Sequence, residues 1–139
     1  MTYAVVDSAT NTLVFARAGH ERPLLSHRDH ATGAFISDFF ASEGMPLGLV
    51  DPGLFESVIE DRAVEFAPGS TLVLYTDGLT EAPNDKDQEF GGGRLADVLR
   101  TAHAGSASRI NDAILQAVHH FAGTTGLRDD YTLLTVKRV

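Results

Sequence analysis

Two groups of acidic residues carry the chemistry that this sequence can offer. Asp77 follows the apolar run Leu72-Val73-Leu74-Tyr75-Thr76 and precedes Gly78, so a carboxylate stands at a strand end where the backbone can turn or be approached closely. Asp129 and Asp130 stand at the mouth of the final apolar run, within Arg128-Asp129-Asp130-Tyr131-Thr132. Adjacent carboxylates repel, and a nearby cation would relieve that cost. If folding brings the two strand ends together, an oxygen-only donor set favours magnesium or manganese over zinc. Such ions bind phosphoryl oxygens and lower the pKa of a coordinated water, so hydrolysis needs no protein nucleophile. Each group also has a plainer reading. Asp77-Gly78 is a two-residue hairpin signal, and Asp129-Asp130 reads as a solvated loop. Against the hairpin, Leu79-Thr80-Glu81-Ala82-Pro83 does not continue as a clean returning strand.

Other polar features rank below these. Gly91-Gly92-Gly93 lacks the Lys-Ser/Thr ending of a P-loop and reads as a helix entry. His119 and His120 are adjacent on a predicted helix and point to different faces. His27 and His30 have usable spacing only on a helix, and their segment reads as loop. His20, after Gly19, reads as a structural histidine. Glu81 is placed as an outer partner of Asp77.

Composition narrows the field. The 139 residues hold 19 acidic against 11 basic side chains, a formal charge of −8, and no basic stripe. Such a surface repels phosphate backbones, so nucleic acid is excluded as a partner class. The absence of cysteine removes disulfides, thiolate zinc sites and thiol nucleophiles. No apolar run approaches the roughly 20 residues that span a bilayer, and Met1 to Asp7 lacks the order of a secretory signal. The expectation is a soluble cytoplasmic chain with no membrane partner.

Periodicity outlines the scaffold behind these carboxylates. Tyr3 to Val6 and Leu13 to Arg17 read as a hairpin, and Pro23-Leu24-Leu25 resumes an extended pattern before a surface turn from Ser26 to Gly33. Phe55 to Phe66 alternates, and Ala67-Pro68-Gly69-Ser70 joins it to the strongest strand signal, Thr71 to Thr76. Leu95, Val98, Leu99 and Ala102 share one helix face; Ile110, Ala113, Ile114, Ala117, Val118 and Phe121 share another, with Ser108 as predicted N-cap. Tyr131 to Lys137 closes the chain as a strand. Strands, then a helix pair, then a returning strand indicate a single α+β domain with antiparallel pairing. A strand starting at the second residue has an uncovered edge open to self-association, so a homodimer is one arrangement the reading admits.

The order of these segments carries a resemblance. Tyr3-Ala4-Val5-Val6-Asp7, Ala18-Gly19-His20-Glu21-Arg22-Pro23, Met45-Pro46-Leu47-Gly48, Tyr75-Thr76-Asp77-Gly78-Leu79-Thr80-Glu81-Ala82, Glu89-Phe90-Gly91 and Asp129-Asp130-Tyr131-Thr132 together resemble the sporulation stage II protein E type of serine/threonine phosphatase, within the metal-dependent PPM (type-2C) superfamily. The resemblance implies an αββα sandwich of two antiparallel sheets flanked by helices, with a two-metal manganese or magnesium site at one end. Asp77 and Asp129 match metal-binding, catalytic positions, with Asp130 and Gly78 as secondary candidates beside them. The implied substrate is a phosphorylated regulatory protein of the anti-sigma-factor antagonist type. The family's Gly-Asp motif, whose carboxylate bridges both metals, has no match here, nor do its first strands and helices. Residues 1–139 therefore read as one incomplete phosphatase domain with weak metal binding of its own. The alternative is a truncated, inactive binding or dimerisation module.

Overall fold

The computed structural model describes residues 1–126 and 129–139; Leu127 and Arg128, the latter being the residue before Asp129 in the acidic motif, lie outside the described residues. The chain runs β1 (Thr2–Asp7), β2 (Thr12–Arg17), β3 (Leu24–Arg28), β4 (Phe35–Phe39), α1 (Pro52–Val58), β5 (Arg62–Glu65), β6 (Thr71–Tyr75), α2 (Asp77–Thr80), α3 (Gly91–Ala102), α4 (Ala107–Ala122) and β7 (Leu133–Lys137). One antiparallel sheet has the order β1-β2-β5 and the other β4-β3-β6-β7.

The period-2 alternation of strands sorts side chains between two cores. Leu25 and Leu72 point from the larger sheet toward Leu13 and Phe15 of the smaller one, with Phe66 closing the layer. Their neighbours Leu24 and Val73 point the other way, into a helix-covered core with Leu95, Leu99, Ile110, Ile114 and Val118. Full burial of each such aliphatic side chain stabilises by about 1.5–3 kcal/mol. The helical spacing read for α3 and α4 is thus the face they bury. The outer face of the smaller sheet leaves Tyr3 and Val5 exposed.

Several local expectations are corrected. Ser26 to Arg28 is not a surface turn but the end of β3, and Ser26 is fully buried, because β4 and β6 pair with it on both sides through Ser37 and Thr71. Neighbouring strands decide its state, not its polarity. Phe55 falls in α1, not in an extended run; Asp51 caps that helix and Pro52 opens it. The Pro68-Gly69 turn is present, with Ser70 N–H donating to the Ala67 carbonyl at 3.0 Å. It links strands of different sheets, since β5 pairs with β2 and β6 with β3 and β7. The N-cap of α4 is Ser106, whose hydroxyl accepts from Arg109 N–H, in place of Ser108. Among the described residues no helix is long and apolar enough to cross a membrane.

Candidate active site

The site is built where β6 and β7 end. Beyond the last regular rung, Thr76 N–H donates to the Thr132 carbonyl at 3.1 Å, and Thr132 N–H donates to Thr76 Oγ1 at 2.9 Å. This threonine pair carries the ladder one step further and fixes the exit of each strand. After Thr76 the chain turns into α2, not a hairpin. Leu79 N–H donates to the Thr76 carbonyl at 3.1 Å and Glu81 N–H to the Asp77 carbonyl at 2.8 Å. Leu79 is fully buried and anchors this single turn, leaving Asp77 exposed at its first position.

Gly78 supplies the contact between the two acidic groups. It is buried, and a β-carbon built on it would stand 2.5 Å from the Asp130 carbonyl oxygen and 3.5 Å from Asp129 Cβ. The loop of Asp129 and Asp130 therefore lies directly on the turn that begins with Asp77. Both aspartates of that loop are exposed, and Asp129 Oδ1 accepts Asp130 N–H at 2.8 Å, as Asp77 Oδ1 accepts Gly78 N–H at 3.0 Å. The Asp77 and Asp129 carboxylates are thus each oriented by the amide of the next residue.

A cavity of about 230 Å³ opens beside this contact, lined by Gly78, Glu81, Ala82, Glu89 and Asp129. Glu81 thus lines the same cavity as Asp129. Glu89 is a carboxylate to which the sequence alone assigns no role, although it is legible within Glu89-Phe90-Gly91. It is brought in by the Pro83–Glu89 bridge and by Phe90 N–H donating to the Ala82 carbonyl at 2.9 Å. Magnesium and manganese suit such all-oxygen donors. Among the described residues, however, no three His, Cys, Asp or Glu side chains converge closely enough to hold a metal ion.

The histidines fall elsewhere. His20 Nδ1 lies 3.1 Å from Thr2 Oγ1, and His20 lines an inter-sheet cavity of about 170 Å³ with Thr76 and Thr132. His27 sits in β3 and pairs with Asp38 at 3.3 Å, while His30 pairs with Glu65 at 2.7 Å. Asp7 ends β1 and closes the next turn by accepting Ala9 N–H at 2.8 Å and Thr10 N–H at 3.2 Å, which pulls its carboxyl pKa below the ordinary value.

Comparison with known proteins places these features in a family. The family model described as stage II sporulation protein E matches residues 1–139. Protein IcfG of Synechocystis sp. is 29% identical over 137 residues, which is 98% of this chain and 20% of that protein. The SiaA-PP2C domain of Pseudomonas aeruginosa superposes with a TM-score of 0.76 at 26% identity, covering 98% of this chain and 50% of that one. The phosphatase domain of the cell fate determinant SpoIIE from Bacillus subtilis gives 0.71 at 14% identity, covering 99% and 56%. The chain thus spans a fifth of the curated relative and about half of these two solved domains. The two antiparallel sheets with their helices match the PPM phosphatase fold.

Proposed function

The chain belongs to the stage II sporulation protein E family, and from that premise we propose that residues 1–139 are one part of a metal-dependent phosphatase domain acting on phosphoserine or phosphothreonine. The observation that carries this reading is the packing of the Asp129-Asp130 loop onto Gly78, which holds two acidic groups at one end of the larger sheet. In this reading Asp77 and Asp129 hold manganese or magnesium, with Asp130 and Gly78 as secondary contributors. When bound, such ions polarise a phosphoryl oxygen and make a water acidic enough to yield hydroxide near neutral pH. The chain's own part is positional. The Thr76–Thr132 pair sets the spacing of the two loops, Gly78 lets them touch, and Glu81 and Glu89 add negative charge to the cleft.

The substrate in this proposal is a phosphorylated regulatory protein of the anti-sigma-factor antagonist type, the class the family resemblance implies. The protein acts in the cytoplasm, and the free edge of β1 offers a route to a homodimer. A second reading, a binding module without turnover, is favoured by one observation: among the described residues no group of three His, Cys, Asp or Glu side chains converges closely enough to hold a metal ion.

The test is manganese-dependent release of phosphate from a phosphoserine peptide, by this chain and by the longest polypeptide encoded in frame with it. Asp77→Asn in the active form should cost more than the roughly 10–100-fold typical of outer partners of a metal site. Undiminished turnover by that variant removes Asp77 from the reaction. No turnover by either wild-type form supports the binding module.

A further inference from the structure

The stretch from Glu43 to Asp61 carries apolar side chains that the other described residues leave exposed. Helix α1 buries none of its residues, although a helix this short is unstable in water on its own. Its ends hold it: Asp51 Oδ1 accepts Leu54 N–H at 3.1 Å, Pro52 opens the first turn, and Ile59 N–H donates to the Phe55 carbonyl at 3.0 Å. On the helix Leu54 is 46% exposed, and in the loop before it Leu47 and Leu49 are 54% and 66% exposed. Between loop and helix lies a cavity of about 260 Å³, lined by Leu47, Gly48, Val50, Pro52, Phe55 and Glu56. Apolar side chains lining an open groove mark an interaction site more often than a scattered leucine does.

The groove is also held in shape. Gly19, at φ +63°, packs so closely on Pro46 that a β-carbon would stand 2.5 Å from the Pro46 ring. The Arg17 guanidinium donates to the His20 carbonyl at 2.6 Å and the Ser42 carbonyl at 3.1 Å, tying the root of the loop to β2. A groove fixed before binding loses little freedom when it is filled.

Charge decides the occupant. The ionisable residues of this stretch are Glu43, Asp51, Glu56, Glu60 and Asp61, with no Lys, Arg or His among them. Glu56 stands on the cavity wall, and Glu43 and Glu60 are joined at the base, Glu43 N–H donating to Glu60 Oε2 at 3.3 Å. A second copy seated here would bring the same acidic stretch against its like, and an anionic membrane would bring phosphates. Both are repelled, whereas a cationic segment is steered in. We propose that the groove between the 44–51 loop and α1 docks a basic amphipathic segment of a protein partner. Its apolar side chains seat against Leu47, Val50 and Phe55, and its Lys or Arg side chains face Glu56 and Asp51. This surface goes beyond the phosphatase reading and needs no metal or turnover.

Fluorescence anisotropy tests it with the full chain and three labelled helical peptides: one with leucines at i, i+3, i+4 and i+7 and lysines elsewhere, one with glutamate for lysine, and one with glutamine for leucine. The Leu-Lys peptide should bind saturably, about tenfold or more tighter than either control, and weaken as salt rises. Leu47→Gln with Leu54→Gln, both at exposed positions, should weaken it about tenfold with an unchanged melting curve, and Glu56→Gln should weaken it less. Asp77→Asn should bind as wild type does, which separates this result from the catalytic one. Unchanged binding by the double leucine variant, equal binding of the Leu-Glu peptide, or no saturable binding overturns the proposal. So does self-association or anionic-vesicle binding that the double leucine variant abolishes.

Discussion

The carbonyl oxygen of Asp130 lies over Gly78, 2.5 Å from where a β-carbon on that residue would stand. Real β-carbons do not approach a backbone oxygen so closely, so any side chain at position 78 must push the Asp129-Asp130 loop away from the turn carrying Asp77. Gly78→Ala should therefore separate the two acidic groups without touching either carboxylate. The expected outcome is a stability loss of about 1–3 kcal/mol, typical of overpacking at a rigid contact. Manganese affinity by calorimetry should fall with it, whereas Thr80→Ala, which removes only the hydroxyl bond to the Asp77 carbonyl, should leave affinity close to wild type.

A second tie acts just past α4. Asp85 Oδ1 accepts the Thr125 hydroxyl at 2.8 Å and the Thr124 hydroxyl at 3.4 Å, joining the turn after α2 to the residues just past α4. Asp85→Ala removes both acceptors and should raise amide hydrogen exchange across residues 123–126. Asp85→Asn keeps a side-chain carbonyl as acceptor and should restore most of the protection. Equal exchange in wild type and Asp85→Ala would show that the tie contributes nothing in solution.

These two contacts mark the boundary of what the sequence discloses. Asp77 and Asp129 are legible as candidates because a carboxylate close to an apolar run is a local pattern. Ile110, Ile114 and Val118 are legible because helical spacing needs no knowledge of what the helix meets. The closeness of Gly78 to Asp130 is not, since it arises only when β6 and β7 pair. Glu89 reaches the cleft through a bridge to Pro83, which no local signal announces. Ser26 reads as turn because its polarity is local, whereas its burial is imposed by strands on both sides. Helix α1 escapes a reading by periodicity because its apolar residues have no buried face to reveal a period; the Asp51-Pro52 pair is the signal that could have found it.

Tyr75 gives a pH prediction with a definite sign. Burial pushes its phenol up to about 12, the nearby Glu21 carboxylate acts in the same direction, and Arg22 opposes both. The folded chain thus favours the neutral phenol more than the unfolded chain does, where the value lies near 10. The stability this confers is fully present below about pH 10 and is lost as pH rises through about 12. Near-ultraviolet absorbance should show a late phenolate step that is missing in Tyr75→Phe. Chemical denaturation should show the wild type losing more stability than that variant between pH 10 and 12.

The two faces of the molecule should respond unequally to truncation. Ile114 is fully buried in the core between α4 and the larger sheet, together with Val73, Leu95 and Leu99. Ile114→Ala deletes apolar volume that its neighbours cannot refill and should cost about 2–5 kcal/mol in urea denaturation. Val5, on the outer face of the smaller sheet, is 48% exposed, and Val5→Ala should stay within about 0.5 kcal/mol of wild type. The comparison separates two accounts of what holds the strands that carry Asp77 and Asp129. If the helix layer clamps β6 and β7, Ile114→Ala should also weaken manganese binding under conditions where the chain remains folded, because the Thr76–Thr132 spacing loosens with the core beneath it. If Val5→Ala proves the more damaging change, the clamp lies in the smaller sheet, and the site depends on β1 staying paired.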